Sequence, residues 1–148
     1  LVDKAAYVVA TRWCGGDCVT ASLDQVAFIE PVRIGELISL HAHIAYVGTS
    51  SMTIRIEVFA EELVSGQERR VCECFATMVA LAEGRPRSVP QLDCDRPEQK
   101  RDCLLGYLRK KLLRERQERL AELSVRIDAM SDAEIVAALA DPDTCGLC

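Results

Sequence analysis

Several features that would place this chain in other classes of protein are scarce or missing. No apolar run reaches the roughly 18 to 20 residues that cross a bilayer, and no basic-then-apolar leader precedes a small-residue cleavage site. His41 and His43 have no further ligands at a spacing typical of zinc sites. The basic stretch at residues 109–119 lacks interleaved aromatics, and the net charge is −5. We therefore expect a cytoplasmic protein with no metal, no nucleic-acid partner and no membrane partner.

Cysteine, by contrast, is frequent, with eight residues in a chain of 148. A disulfide framework is typical of small secreted domains, whereas this chain has no visible leader and enough apolar residues for a core. We expect mostly reduced thiols. Cys145 and Cys148 have the spacing of a redox motif without its usual context, and an exposed, oxidisable tail is the favoured reading, with their role left open.

The apolar pattern predicts one helix followed by a run of strands. Residues 1–13 are apolar around most of a helical circumference, which predicts a helix buried on nearly every side. Alternating patterns predict strands after the glycines at 15 and 16, with a bulge or a face switch near Asp24, and at 37–47, 52–60 and 70–81. Because the links between them are short, the strands are expected to be antiparallel. The fold class is α+β, with a sheet wrapped around a central helix.

A helical tail is predicted after this unit. Residues 97–124 are predicted to form a long helix with a narrow leucine stripe suited to docking on a surface or a partner helix, and Ser131 with Glu134 forms a capping box for a second helix. We place a first domain at residues 1–92 and a C-terminal helical extension at 93–148.

An ordered set of short motifs carries a family resemblance. They are DKAA at 3–6, VTASLDQVAF at 19–28, PVRIG at 31–35, YVGTSSM at 46–52, FATMVA at 75–80 and GRPRSVPQL at 84–92. Together they resemble the acyl-CoA thioesterase family of the hot-dog fold, in particular cytosolic acyl-CoA hydrolases and their single-domain bacterial relatives. The likeness covers roughly residues 1 to 110.

The resemblance implies a fold, an activity and an assembly. It implies a hot-dog domain whose first strand and Gly-rich turn are apparently missing from this chain, and hydrolysis of fatty acyl-CoA to fatty acid and CoA. Asp3 matches the family's general base or nucleophile, while the amides that polarise the carbonyl belong to the missing turn. No cofactor is expected, since CoA is part of the substrate. At least a homodimer is expected, with a trimer of dimers as a further expectation.

Further candidates for substrate binding come from polar positions on strands and turns. Thr20, Ser22 and Asp24 share one strand face up to the predicted bulge, and a purely structural polar face is an open alternative. Gly48, Thr49, Ser50 and Ser51 match a family loop near bound CoA, and also read as a plain hairpin turn. Arg33, Arg85 and Arg87 suit phosphate contacts, although each also suits a solvated surface.

Two other functions remain open. A hot-dog module that binds acyl-CoA without hydrolysing it, with the C-terminal helix recruiting a partner, is the main alternative. A hydratase or dehydratase is disfavoured, because the short Asp and His motif of those relatives is not found. Acyl chain length cannot be read from the sequence.

Overall fold

The computed structural model describes residues 1–93, 95 and 97–141, with Gln25 and Glu98 described by their backbone alone. Cys145 and Cys148, and the oxidisable tail predicted there, lie outside the described residues. The elements, in chain order, are α1 (Val2–Cys14), β1 (Cys18–Phe28), β2 (Leu37–Val47), β3 (Ser51–Glu61), β4 (Glu68–Ala82), β5 (Arg85–Pro86), α2 (Pro97–Asp128) and α3 (Asp132–Ala140).

The sheet is antiparallel throughout, with strands in the order β1, β4, β3, β2 and the short β5 paired to β4. The predicted α+β class is thereby confirmed. Strand β1 shifts register between Thr20 and Ser22 and again between Asp24 and Ala27. The second shift lies where the sequence predicts a bulge or a face switch near Asp24, at the point where the apolar alternation changes phase.

Helix α1 packs on the sheet through one face. Ala6, Ala10 and Cys14 are its buried residues, and they join a core that includes Met52, Ile54, Ile56, Ala76 and Met78 of the sheet. The prediction that this helix is buried on nearly every side is wrong for the isolated chain, because the sheet covers a single side. Tyr7 and Val8 on the other side are 43% and 46% exposed.

Contacts divide the chain into two compact units, Leu1–Tyr107 and Leu108–Cys148. The first turns of α2 belong to the first unit, where Gly106 lies against Tyr46. A Cβ atom at Gly106 would come within 2.6 Å of the Tyr46 Cβ, so the contact requires glycine. The Tyr46 and Tyr107 rings pack beside it, with centroids 5.7 Å apart. The domain limits of 1–92 and 93–148 stay a prediction.

The described residues of the second unit form the rest of α2, a short link and α3. The capping box predicted before α3 is confirmed: Ser131 Oγ accepts from the Glu134 amide at 3.4 Å, and Glu134 Oε2 accepts from the Ser131 amide at 2.8 Å. Several apolar side chains of this unit are exposed, among them Leu112, Leu120 and Val125. Across the described part of the chain, no helix combines the length and the apolarity that crossing a bilayer requires.

Candidate functional site

The clearest polar contact near the start of the chain joins α1 to β1. Thr20 donates from Oγ1 to Asp3 Oδ1 at 2.6 Å, and the same hydroxyl lies 3.4 Å from Met78 Sδ. Asp3 is in the first turn of α1, where the helix dipole favours a carboxylate. Both side chains are exposed. The contact leaves a carboxylate held by a hydroxyl on an accessible surface.

A glycine turn brings Thr20 back toward the helix that carries Asp3. Gly15 ends α1 with φ of 64°, a left-handed conformation that glycine adopts without a Cβ clash. Strand β1 then begins at Cys18, and Thr20 is the last residue before its first register shift. The shift separates Thr20 from the other polar candidates: Ser22 donates to Asp24 Oδ2 at 2.8 Å instead. The predicted trio therefore splits, with only Thr20 contacting Asp3.

An apolar cavity of about 580 Å³ lies beside the start of α1. Leu1 and Val2, which immediately precede Asp3, form part of its wall. The remaining lining residues come from the end of β1, the following loop and three strands: Phe28, Ile29, Glu30, Pro31, Val32, Ile38, Leu40, Val58, Val71 and Cys72. Its volume lies in the range typical of small-molecule sites, roughly 300 to 1,000 Å³. The sequence did not reveal this cavity, although apolar residues in a loop at 28–34 were a usable signal.

Arg69 holds the loop that forms one wall of this cavity. Its guanidinium binds both carboxylate oxygens of Glu36, at 2.7 and 3.0 Å, and also donates to the Pro31 carbonyl at 2.8 Å. Glu30 lies 3.1 Å from Arg69 Nε. The Glu36 side chain is 6% exposed. The hydrogen bonds from Arg69, and then the Arg33 amide, lower the pKa of Glu36 from 4.5 to about 2.

The predicted turn at Gly48, Thr49, Ser50 and Ser51 joins β2 to β3, and its backbone is tied to neighbouring segments. Gly48 donates to the Ser51 carbonyl at 2.7 Å, while the Ser50 and Thr49 carbonyls accept from the amides of Ala80 and Val89. Gln91 also donates to the Gly48 carbonyl. These bonds account for the turn structurally, and its predicted contact with CoA stays a prediction.

The three arginines proposed for phosphate contacts lie in different places. Arg33 is exposed on the cavity loop, and its amide donates to Glu36 at 2.8 Å. Arg85 is exposed on β5. Arg87 donates to the carbonyls of Cys14 and Leu81, at the end of α1 remote from Asp3. Arg87 thus has a structural role that its sequence context did not indicate.

Within the described ranges, no three His, Cys, Asp or Glu side chains converge as metal ligands would. The five cysteines described there are free. What the geometry offers for chemistry is a carboxylate, a hydroxyl and an adjoining apolar cavity.

The comparisons with known proteins agree with this description. A family model for the thioesterase superfamily matches residues 1–66. An acyl-CoA thioester hydrolase of Bacillus subtilis, named YkhA and called uncharacterized, is 36% identical over 92 residues, which is 62% of this chain and 54% of the relative. The crystal structure of an acyl-CoA hydrolase from Bacillus cereus is 32% identical, with a TM-score of 0.74, over 88% of this chain and 78% of that one. A structure described as an apo-hexameric acyl-CoA thioesterase is 31% identical, with a TM-score of 0.74, over 78% of this chain and 75% of that one.

The chain covers the curated relatives only in part and the solved structures more fully. The chain spans about half the length of the curated bacterial relatives it matches. The solved structures are covered more fully, and their identity to this chain exceeds 30%. The predicted hot-dog architecture is confirmed by those neighbours together with the antiparallel sheet packed on α1. The chain therefore belongs to the acyl-CoA thioesterase family of the hot-dog fold.

Proposed function

We propose that the protein hydrolyses fatty acyl-CoA to a free fatty acid and CoA. The observation that carries this proposal is the 2.6 Å bond from Thr20 to Asp3, which directly follows Leu1 and Val2 of the apolar cavity wall in the chain. Support comes also from the relatives, since those of Bacillus subtilis and Bacillus cereus are named as acyl-CoA hydrolases.

Asp3 supplies the reactive group. Thioester hydrolysis needs either a base that takes a proton from the attacking water or a nucleophile that attacks the carbonyl carbon itself. A carboxylate serves in both routes: as a base it accepts the water proton, and as a nucleophile it forms an anhydride that water then cleaves. Thr20 is the positioning residue, because its hydroxyl fixes one carboxylate oxygen and so the orientation of the other.

The apolar cavity is the proposed acyl site. Its lining is almost entirely aliphatic or aromatic, with Glu30 as its charged member. Burying an acyl chain there would gain about 0.8 kcal/mol per methylene group, which favours apolar acyl groups over polar ones. Since Leu1 and Val2 precede Asp3, a chain in the cavity would have its thioester near the carboxylate. The other predicted substrate contacts, namely Ser22, Asp24, the turn at 48–51, Arg33 and Arg85, belong to the proposal as weaker candidates. Arg87 stays a sequence prediction alone, because its side chain donates to the Cys14 and Leu81 carbonyls.

We infer that the protein acts as a homodimer at least, and as a trimer of dimers by analogy with the hexameric relative. Strand β1 is an edge strand, and Val19, Leu23 and Phe28 along it and at its end are exposed in the isolated chain. Such edges are normally covered or blocked. Light scattering of the intact protein at micromolar concentration should give at least twice the chain mass, and a monomer would contradict the inference.

The compartment, cofactors and partners of the enzyme also follow from the expectations above. We infer that it works in the cytoplasm without a cofactor, a metal, a nucleic-acid partner or a membrane partner. Turnover should therefore survive exhaustive chelation, and a loss of activity that added divalent metal restores would contradict this part.

A binding module that holds acyl-CoA without hydrolysing it is the second candidate. The observation in its favour is the set of exposed apolar side chains in the second unit, including Leu112, Leu120 and Val125, which suits recruitment of a partner. Tight acyl-CoA binding by a well-folded protein with no turnover would favour this candidate.

The deciding experiment compares intact protein with Asp3→Asn. Loss of thioester ultraviolet absorbance is followed for a panel of acyl-CoAs, because thiol-trapping dyes would react with the cysteines. Turnover should fall by about 10² to 10⁴ in Asp3→Asn, the range contributed by a positioned acid or base. Asp132→Asn is the matched control, since Asp132 lies in the first turn of α3 as Asp3 does in α1. Equal losses in both variants would contradict a chemical role for Asp3.

A further inference from the structure

Two cysteines meet where α1 ends and β1 begins. Cys14 is the last residue of α1, Cys18 is the first of β1, and their Sγ atoms lie 3.1 Å apart. Both residues are 7% exposed. Each thiol also lies within reach of the Gly16 carbonyl, at 3.3 Å for Cys14 and 3.7 Å for Cys18. The two sulfur atoms therefore face each other in a buried pair.

The backbone between them makes this meeting a property of the fold. Gly15 takes its left-handed conformation directly after Cys14, and Gly16 passes so close to Arg87 that a Cβ there would come within 2.7 Å of Nη2. Arg87 in turn donates to the Cys14 carbonyl. Since the turn is fixed by these contacts, the sulfur atoms are held together without needing a covalent bond.

The two cysteines of β4 do not share this arrangement. Cys72 and Cys74 are two positions apart on β4, so their side chains project side by side rather than toward each other. Cys72 belongs to one cluster of the core and Cys74 to another. These two residues provide an internal control for any reaction that depends on convergence.

We propose that Cys14 and Cys18 form a reversible intramolecular disulfide on reaction with a low-molecular-weight disulfide such as oxidised glutathione. The Cys14 thiolate, having lost its proton to solvent, attacks one glutathione sulfur and releases the other half as a thiolate. The Cys18 thiolate then attacks Cys14 Sγ and releases the second glutathione. The two protein thiols are oxidised, one glutathione disulfide is reduced to two thiols, and the two released thiolates take up the two protons.

The surroundings of the pair decide how fast this occurs. Burial, followed by the contact with Cys14, raises the pKa of Cys18. The attacking species is a thiolate, so exchange should be slow at neutral pH and faster in alkaline solution. Because both cysteines are only 7% exposed, the oxidant has to wait for a local opening of the structure around them, which also slows the exchange.

The new bond would tie together the two elements that carry Asp3 and Thr20. Cys18 precedes Thr20 by two residues, and Cys14 ends the helix that begins beside Asp3. The bond would restrain the turn between helix and strand, and amides at positions 15 to 20 should exchange with solvent at least fivefold more slowly after oxidation. This inference does not depend on the proposed hydrolysis.

Peptide mapping of the full chain tests it. Reduced protein is incubated with oxidised glutathione at neutral and alkaline pH, free thiols are alkylated, and linked peptides are identified by mass. We expect a Cys14 to Cys18 linkage that forms faster at the higher pH, with Cys72 and Cys74 alkylated. Cys14 and Cys18 that stay unreacted even at the alkaline pH, or glutathione adducts on them that never resolve into a linkage, would overturn the proposal.

Variants separate the pair from general reactivity. Cys18→Ser should leave Cys14 unable to form any internal linkage and able to carry glutathione only as a lasting adduct. Cys72→Ser should oxidise at Cys14 and Cys18 as the unaltered protein does. Amide hydrogen exchange of residues 15 to 20 should slow when the unaltered protein is oxidised and recover when it is reduced again. Equal exchange rates in the oxidised and the reduced protein would contradict the proposed restraint, even if the linkage forms.

Discussion

The two ends of α1 differ in how they are held. At the first turn, Asp3 makes one exposed contact with Thr20 beside an open apolar cavity. At the last turn, Cys14 is buried against Cys18, Arg87 donates to its carbonyl, and Trp13 Nε1 donates to the Pro90 carbonyl at 3.0 Å. Polar contacts therefore hold the C-terminal end of the helix more firmly, while the Asp3 side chain at the N-terminal end stays exposed.

The two ends of α1 should therefore differ in what they contribute, with the first turn serving turnover and the last turn serving stability. An exposed polar pair contributes little to stability, typically less than about 1 kcal/mol, whereas buried hydrogen-bonded groups cost more to remove. Changes at the first turn should therefore alter turnover with little effect on folding. Changes at the last turn should do the reverse.

Among the four variants that follow, Thr20→Val should have the largest effect. It should lower activity and leave stability nearly unchanged. Valine keeps the shape of threonine but removes the donor to Asp3, and a misplaced catalytic group can lower the rate by up to about 100-fold. We expect kcat/KM to fall by roughly 10- to 100-fold, with urea unfolding nearly unchanged. Thr20→Ser, which keeps the hydroxyl, should restore most of the activity; equal losses in both variants would mean that the hydroxyl is not what matters.

Arg87→Ala should show the opposite pattern. It removes the donors to the Cys14 and Leu81 carbonyls and leaves both partly unpaired. We expect a loss of about 1 to 3 kcal/mol in the free energy of unfolding, measured by urea denaturation, and kcat/KM within about threefold of normal. A large loss of activity at normal stability would place Arg87 in substrate binding, as its sequence position first suggested.

Gly16→Ala also probes the C-terminal end of α1, with a smaller expected loss of stability. The added Cβ would meet the Arg87 guanidinium at 2.7 Å, and that group is the mobile end of a long side chain. We expect a loss of about 1 kcal/mol, smaller than for Arg87→Ala, because the arginine can move aside. In the Arg87→Ala background the same glycine change should cost less, and an undiminished cost there would contradict a clash with Arg87.

Glu36→Gln should have the smallest effect, visible as a change in pH dependence. Arg69 lowers the pKa of Glu36 from 4.5 to about 2, so the ionised form is favoured by folding. The stability that this group contributes is fully present above pH 4.5 and is lost as the pH falls through 2. The free energy of unfolding of Glu36→Gln, measured by urea denaturation, should therefore decrease less steeply as the pH is lowered from 4.5 to 2. Glu30→Gln, at the exposed partner of Arg69, is the control and should keep the steeper slope.

Much of the sheet was predictable because its signals are local. The bounds of β2, β3 and β4 follow from alternation, the shift after Asp24 from a change of phase, and the α3 capping box from the spacing of Ser131 and Glu134. Each of these depends on residues that are neighbours in the chain.

The features that the sequence did not reveal depend on contacts through space. The bond from Thr20 to Asp3 and the meeting of Cys14 with Cys18 both require the path of the glycine turn, which composition does not specify. The sequence predicts burial for the exposed side of α1 as well, because an apolar residue type does not show whether another element covers it in the isolated chain. Asp3 itself was found through family resemblance, since one acid in a first turn is common on any helix.

A double-mutant cycle on Asp3 and Thr20 tests the central claim most directly. Values of kcat/KM for acyl-CoA hydrolysis are measured for the unaltered protein, Asp3→Asn, Thr20→Val and the double variant, with urea unfolding as the check on folding. If Thr20 acts by positioning Asp3, the double variant should be no slower than Asp3→Asn alone. Losses that multiply would mean that the two side chains act independently, and the account of a single carboxylate and hydroxyl unit would be contradicted.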